Sequence, residues 1–318
     1  MAEFERQGVG GLTVEQRQTF DRRLLTRLRP VWNYNKFGLK RSIPAGGSNS
    51  IQVRRMQVIA GSTTALTEGT PGASIRATWV SVAATVSQYG QYIMFSEIST
   101  KQAFDQILPE TIDNLGEAMA DSLDLLTRNQ IRGGTNIQYA STAGSRGEVG
   151  SGMLLSSAEI REAVATMKTN NVKPVEDGFF VAFIHPNTWR DFMGDSNVVN
   201  ALQYAAARGS ENNLFTGKIP DYLGVRFYES SNASVQSSLG LSGADVYQTI
   251  IIGMESYMVV DYEAIPPRTI VHPPGTGGPF DPLDQVSSVG YKCAHAAVIL
   301  DQNRLLSIEH ITTASQAA

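Results

Sequence analysis

The chain has 318 residues, of which 42% are hydrophobic and 18% charged, and its formal net charge is −4. A chain of roughly 300 residues can bury about three quarters of its unfolded surface, which suits one elaborate domain or two subdomains. Its longest apolar runs are far shorter than the ~18 residues of a membrane span, and no signal-peptide core opens the sequence. We therefore expect a soluble protein with no membrane partner.

The first 60 residues are strongly basic although the chain as a whole is acidic. They hold eleven Lys or Arg residues against four acidic ones, which leaves fifteen basic and twenty-six acidic residues in the rest. This division favours contact with a polyanion, or binding of a basic arm to the acidic body of another copy. A solvated amphipathic helix is the alternative. Cys293 is the only cysteine, which excludes an intramolecular disulfide and favours a reducing compartment.

The N-terminal segment is predicted to be an arm without its own core. Residues 1–12 carry no periodic pattern, and the capping-box pattern Thr13-x-x-Gln16 opens a helix that Pro30 ends. The next stretch, VWNYNKFG at 31–38, places three aromatic residues beside basic groups. Such an arm needs a surface to lie on.

A change to two-residue periodicity from Ser50 predicts a long two-stranded hairpin. One strand surrounds Ile51 and Val53, the second runs from Trp79 to Phe95, and residues 60–77 form a loose tip rich in Gly, Ser and Thr. An isolated hairpin is marginal in water, and its bare edges invite pairing. Either neighbouring copies complete it, or it folds back as two strands of an ordinary sheet.

A long amphipathic helix is predicted between Ser99 and Gly134. We place Pro109 at its first position and the Gly133-Gly134 pair at its end, which gives a rod of roughly 36 Å. Its acidic residues Asp113, Glu117 and Asp121 are predicted to face solvent. The apolar face recurs with a 3.6-residue period at Phe104, Ile107, Leu108, Ile112, Leu115, Met119, Leu123, Leu126 and Ile131.

The remaining elements predict an α+β fold. Ser156 or Ser157 caps a helix to about Thr169, and FFVAFI (179–184) is a buried strand. Short helices follow at His185-Pro186 and at 197–207. Further strands are predicted at 224–228, 246–253, 257–262, 286–300 and 304–311. We expect the last two strands to be joined at 301–303 and to pack together on the long helix, because a sheet must cover the apolar face of that helix.

The residues that usually carry chemistry form no motif. The four histidines have no metal-binding spacing, and His185 with Asp191 lacks a nucleophile motif. GLSGA (240–244) is not a nucleophile elbow, and TGKIP (216–220) and GTGGP (275–279) lack the context of phosphate or dinucleotide loops. We expect no enzyme, no cofactor and no metal site.

The order of these parts resembles the major capsid proteins of tailed bacteriophages, which have the Hong Kong 97-type fold that encapsulin shells share. The resemblance also lies in local segments that cover most of the chain. These are LRPVWNYNKFG (28–38), IPAGGSNSIQVRR (43–55), LTEGTPG (66–72), VAATVSQYGQYIMFSE (82–97), IRGGTN (131–136), FFVAFIHPNTWRDF (179–192) and LGVRFYES (223–230).

The resemblance implies four parts of an α+β capsid fold. Residues 1–45 are the N-terminal arm, 46–98 the E-loop hairpin, 99–135 with 265–318 the peripheral domain around the spine helix, and 136–264 the axial domain. It implies self-assembly as hexamers and pentamers into an icosahedral shell around double-stranded DNA. The location implied is the virion capsid, assembled in the bacterial host cytoplasm. An encapsulin-like compartment shell, or a soluble oligomeric enzyme or binding module, remains as an alternative.

The implied partners are other copies, a separate scaffolding protein, a portal, a possible decoration protein and packaged DNA held by non-specific electrostatics. Some relatives weld their shells through a Lys of the E-loop, but residues 46–96 contain no Lys, so we predict a non-covalent shell. The candidate assembly contacts are Arg22, Arg23, Arg27, Arg29, Trp32, Glu68 and Trp79.

Overall fold

The computed structural model describes residues 32–69, 72, 74–98, 107–205, 221–274, 281 and 283–316. Its helices are α1 (Ile107–Ile131), α2 (Ser157–Thr169), α3 (Pro186–Met193) and α4 (Ser196–Ala205). Its strands are β1 (Leu39–Ile43), β2 (Ser50–Met56), β3 (Trp79–Thr85), β4 (Ser87–Ser96), β5 (Ile137–Tyr139), β6 (Phe180–Ile184), β7 (Asp221–Tyr222), β8 (Val225–Glu229), β9 (Val235–Gln236), β10 (Val246–Ile252), β11 (Tyr257–Tyr262), β12 (Arg268–His272), β13 (Val286–Ile299) and β14 (Leu305–His310).

A five-stranded sheet carries the long helix α1. Its order is β1-β11-β13-β12, with β4 also paired to β13, and β1 is the parallel strand. Along the first half of β13 every second residue is buried, so one face of this strand packs on α1. Leu115 of α1 joins Val289, Tyr291 and Cys293 in the resulting core.

The second large sheet has seven strands. Its order is β5-β14-β10-β6-β8-β7, with β9 also paired to β10. Strands β6, β10 and β14 are buried at every residue. β6 is apolar throughout, whereas β10 and β14 also bury polar side chains such as Gln248 and Glu309. The helix α2 covers one face through residues such as Ile160 and Met167. The opposite face shares a core with β11 of the first sheet.

The predicted helix starts of this region are confirmed by local hydrogen bonds. Ser156 caps α2: its hydroxyl accepts from the Ala158 N–H, and the Glu159 carboxylate accepts from the Ser156 N–H at 2.9 Å. His185 caps α3 with Pro186 at the first helical position. The described part of α1 begins at Ile107, so placing Pro109 first was wrong. Pro109 is tolerated because the first four N–H groups of a helix have no intrahelical acceptor.

The two last strands separate instead of returning together. β13 packs on α1 as expected, but β14 lies between β10 and β5 in the seven-stranded sheet, so that expectation was wrong for β14. The reason is burial: Leu305, Leu306 and Ile308 fall on both faces of β14, which therefore needs cover on both sides. A strand that alternates, as β13 does, needs only one.

The second hairpin strand is divided at Val86. β3 pairs with β2 in a two-stranded sheet, from Met56 opposite Trp79 to Ser50 opposite Thr85, whereas β4 pairs with β13. The second alternative therefore holds for β4, which joins an ordinary sheet, whereas β2 and β3 form a separate two-stranded sheet. No helix among the described residues is long and apolar enough to cross a membrane.

Candidate assembly surfaces

The hairpin tip, defined as residues 57–78, exposes apolar side chains. Its described residues form no helix or strand, although the Gln57 N–H donates to the Thr78 carbonyl at 2.9 Å where the tip begins. Val58 is 98% exposed, and Leu66 is 80% exposed. Ile75 is exposed as well. Isolated exposed apolar residues are common, but several on one projecting arm indicate an interaction surface.

The hairpin stem, formed by β2 and β3, packs on its own chain. Ala84 is buried in a cluster with Met258 and Val260 of β11, and Ile51 and Val53 pack against that cluster. The sequence left open whether the hairpin folds back on its own chain, and the stem does so. Two-residue periodicity puts one face of the stem on the five-stranded sheet, whereas the described residues of the tip join no buried cluster.

An ion-pair network holds the end of the stem. Arg55 pairs with Asp301, whose carboxylate also lies 3.3 Å from Arg304 Nε. Arg304 Nη1 in turn lies 3.1 Å from a carboxylate oxygen of Glu255. The network links β2 to the turn after β13 and to the turn between β10 and β11, so it fixes the direction in which the tip projects.

A shallow groove, which we call the sheet groove, lies on the five-stranded sheet. It has a volume of about 400 Å³, and its lining includes Tyr92 of β4, Gly290 of β13 and Ile270 of β12. These three residues are direct cross-strand neighbours. The buried neighbours of Gly290 in β13 point to α1, so Gly290 belongs to the opposite face, where a Cβ at its position would lie only 2.8 Å from the Cβ of Tyr92. Tyr92 is 68% exposed.

The predicted contact residues do not form one cluster. The four arginines at positions 22, 23, 27 and 29 lie outside the described residues. Glu68 is exposed in the hairpin tip, and Trp79, at the start of β3, is 64% exposed beside Arg54. Trp32 is half-buried, and its Nε1 donates to Asp121 Oδ1 at 3.3 Å. Trp32 thus contacts α1 of its own chain.

The long helix carries a buried acid that the sequence analysis missed. Asp124 is fully buried, and its Oδ1 accepts the backbone N–H groups of Tyr34 at 2.8 Å and Asn35 at 3.3 Å. Asp121 was predicted to be solvated, and this was wrong: it is half-buried and bound by Trp32 and by Asn232. Asp113 is exposed as expected.

The groups that could carry catalysis have structural partners. His185 Nδ1 accepts the Asn187 N–H at 3.1 Å, and burial lowers the pKa of this imidazole. The Asp191 carboxylate binds the hydroxyl and N–H of Thr313. The buried carboxylate of Glu309 receives two hydrogen bonds from Arg146, at 2.6 and 2.8 Å. Within the described ranges, no group of three or more His, Cys, Asp or Glu residues could hold a metal ion.

Comparison with known proteins gives one family and a set of similar structures. The sequence profile of the family described as phage capsid protein matches residues 79–305. No curated protein matched the sequence. Among solved structures, the capsid of Ralstonia phage GP4 has a TM-score of 0.73 at 13% identity, covering 94% of this chain and 96% of that chain.

Two cyanophage structures are similar over the same length. The Cyanophage Pam1 capsid asymmetric unit has a TM-score of 0.73 at 14% identity, covering 94% of this chain and 97% of that chain. The capsid of Cyanophage P-SCSP1u has a TM-score of 0.71 at 13% identity, covering 93% of each chain. At such identities the likeness is one of fold.

Proposed function

This chain belongs to the phage capsid protein family, and from that membership we propose that it is the major capsid protein of a tailed bacteriophage. Its copies self-assemble into the icosahedral shell that encloses the double-stranded DNA genome. The expected α+β fold of the Hong Kong 97 type is confirmed, because phage capsid chains match this chain over nearly their whole length. The family makes the protein a structural one, and we propose no enzymatic activity.

The observation that carries the proposal is the uncovered hairpin tip. The stem begins at Ser50, close to where Ser87 pairs with His295 of β13. It ends near Arg55, which pairs with Asp301 after β13. The tip therefore projects beyond the end of β13. The sheet groove at Gly290 lies in the other direction, and the strand between Gly290 and Ile299 alone spans roughly 30 Å. A tip therefore meets the groove of another copy.

We assign the tip-to-groove contact to neighbouring subunits in hexamers and pentamers. Leu66 and Ile75 supply apolar surface, and the sheet groove beside Tyr92 and Ile270 accepts it. Glu68 of the tip and Trp79 of the stem lie on the same hairpin, and we propose them as further contacts beside this one. Each contact is modest alone, but closure of a symmetric shell makes many contacts act together.

We keep the four parts of the fold as a proposal, with one adjustment. Residues 1–45 are the arm, 46–98 the E-loop hairpin, 99–135 with 265–318 the peripheral domain, and 136–264 the axial domain. β11 lies in the range 136–264 but belongs to the five-stranded sheet that carries α1. β14 lies in the range 265–318 but belongs to the seven-stranded sheet. We therefore propose β11 for the peripheral domain and β14 for the axial domain.

Charge supports a role for the basic arm. Arg22, Arg23, Arg27 and Arg29 carry positive charge next to a body that is acidic overall, and Asp113 of α1 is one exposed acid of that body. We propose that these arginines contact acidic surfaces of neighbours or the phosphates of packaged DNA. A contact with DNA of this kind is non-specific and weakens with salt.

The other partners follow from the same function. A separate scaffolding protein guides assembly in the bacterial cytoplasm, a portal occupies one vertex, and a decoration protein is a further possible partner of the finished virion. The shell is proposed to be non-covalent, because residues 46–96 contain no Lys to form an isopeptide bond. Covalent ladders that survive boiling in denaturant would contradict this.

Negative-stain microscopy of the purified chain, with its nucleic acid content, tests the function. We expect closed particles of megadalton mass, and nuclease-protected double-stranded DNA in particles from infected cells. Similar but smaller particles holding an enzyme and no genome would indicate an encapsulin-like compartment. A discrete small oligomer or a compact monomer, under every salt condition and with scaffold present, would contradict the proposal.

A further inference from the structure

The root segment, defined as residues 32–37, joins the start of the described chain to both sheets. Tyr34 is fully buried, and its ring centroid lies 4.3 Å from that of Phe183 in β6. The hydroxyl of Tyr257, in β11, donates to the Tyr34 carbonyl. β6 belongs to the seven-stranded sheet and β11 to the five-stranded sheet, so Tyr34 packs between the two.

The third contact of the root segment is α1. Asp124 Oδ1 accepts the N–H groups of Tyr34 and Asn35, so one carboxylate oxygen binds two consecutive residues of the segment. Three buried polar atoms here have no partner in the structure: Asp124 Oδ2, Asn35 Oδ1 and the Tyr34 hydroxyl. Buried polar atoms without partners are costly, so the burial of this carboxyl lowers the stability of the folded chain.

Two outer contacts hold the start of the segment. Trp32 Nε1 donates to Asp121, three residues before Asp124 on the same helix. Asn33 Nδ2 donates to the carbonyl of Glu229 at the end of β8, at 3.1 Å. The segment is therefore held by α1 and by strands of both sheets within a few residues of the basic arm.

We propose that the root segment is a clasp that fixes the direction of the N-terminal arm relative to both sheets, with Asp124 as its positioning residue. Only Pro30 and Val31 separate Arg29 from Trp32, so the clasp sets where the arginines of the arm begin. The proposal rests on the proposed function in one respect only, which is that the N-terminal arm contacts other copies of the chain. The clasp itself belongs to the single chain.

The charge environment makes the clasp sensitive to protons. Burial, joined by the nearby carboxylate of Asp121, raises the pKa of Asp124 to about 6, against the two N–H donors and Arg128. The other titratable groups that face it are the hydroxyls of Tyr34 and Tyr257, whose pKa values are raised by burial and by Asp124. A neutral carboxyl still offers an oxygen to both N–H groups and adds an O–H donor at Oδ2. Protonation therefore relieves the cost of the buried charge, although the two N–H groups bind a neutral carboxyl more weakly than a carboxylate.

Hydrogen exchange of the unassembled chain tests the clasp directly. In Asp124→Ala both N–H groups lose their acceptor, and we expect the peptide covering residues 32–38 to exchange about tenfold faster at pH 7.5. Peptides from β6 and β13 should keep wild-type protection. Asp124→Asn keeps an acceptor oxygen and should protect residues 32–38 much better than Asp124→Ala does. Asp113→Ala, at an exposed acid of the same helix, is the matched control.

Unchanged protection of residues 32–38 in Asp124→Ala would overturn the clasp, as would equal loss in Asp124→Asn. If Asp124→Ala does not fold, Tyr257→Phe decides, because it removes only the hydroxyl that donates to the Tyr34 carbonyl. Faster exchange at 32–38 supports the proposal, and unchanged exchange refutes it. Because exchange is measured on single chains, a failure of the clasp is distinct from a failure of wild-type chains to form particles.

The direction of the arm is tested by assembly. If the clasp sets that direction, folded Asp124→Ala chains should form fewer or irregular particles, and Asp124→Asn should restore uniform ones. Uniform particles from an Asp124→Ala chain whose root segment exchanges freely would show that assembly does not need the clasp, and would overturn that part of the proposal.

Discussion

Arg55, the second-last residue of β2, forms an ion pair with Asp301, which lies 246 residues later in the turn after β13. The pair is the outermost contact that holds the hairpin over its own sheet. Beyond it, no described residue of the tip belongs to a buried apolar cluster. The ion pair therefore marks the boundary between what one chain buries and what we assign to its neighbours.

Arg55→Ala should loosen the hairpin without unfolding the protein. Arg55 is exposed, and ion pairs at exposed positions contribute about 1 kcal/mol or less to the free energy of unfolding. We expect a small change in Tm and faster proteolysis between residues 57 and 78. Arg54→Ala, an exposed arginine with no ion pair among the described residues, is the matched control and should be cleaved at the wild-type rate. Equal cleavage of both variants would contradict the role of the pair.

Leu66→Asp should block assembly and leave the single chain stable. The side chain is 80% exposed, so the substitution costs little in the free chain, whereas burying an unpaired carboxylate at an interface costs several kcal/mol. Light scattering under assembly conditions measures the loss, and thermal unfolding measures stability. Thr63→Asp adds the same charge at another exposed position of the tip and should assemble. Normal assembly of Leu66→Asp would remove the tip from the interface.

Charge reversal of the arm, Arg23→Glu with Arg27→Glu, should impair assembly before it affects folding. The two residues belong to the basic arm proposed to contact acidic neighbours or DNA, and like charges across such a contact repel. Particle yield and thermal unfolding of the single chain are compared with those of Arg6→Glu, outside the predicted helix. Normal particles from the double variant would refute the assignment.

The stability of the chain should carry a pH dependence from Asp124. Its pKa is raised from 3.8 to about 6, so between these values the folded chain holds a proton that the unfolded chain has released. Its contribution therefore rises as pH falls from about 6 to about 4, by on the order of 2–3 kcal/mol. Asp124→Asn should lack this component.

The pH test needs the difference between the two proteins. Burial lowers the pKa of His310 from 6.5 to about 4, and its contribution to stability is lost as pH falls through the same range. Subtracting the Asp124→Asn profile from the wild-type profile cancels His310. A flat difference between pH 4 and pH 6 would contradict the raised pKa of Asp124.

Local patterns in the sequence predicted local structure well. The capping residues of α2, the buried strand β6 and the amphipathic helix α1 follow from periodicity and from residues close in the chain. Pairing over long distances was harder. The separation of β13 from β14 depends on which layer covers each strand, and the division of the second hairpin strand at Val86 depends on β13, two hundred residues away.

The clasp was missed for a related reason. α1 contains five acidic residues, and the sequence analysis gave Asp124 no role. It lies one turn before Thr127 and two turns before Ile131, both fully buried, and this spacing is the signal that places it inside. What covers it, Tyr34 and Asn35, lies ninety residues earlier, where no periodicity indicates a partner.

The most direct test of the account is to find where the hairpin tip binds. A photo-crosslinker placed at Leu66 is activated in particles assembled from a mixture of isotopically light and heavy chains, and the products are mapped by mass spectrometry. The account predicts mixed light–heavy products that join Leu66 to residues around Tyr92, Gly290 and Ile270 of another copy. Products confined to single chains, or no assembly from which to form them, would contradict it.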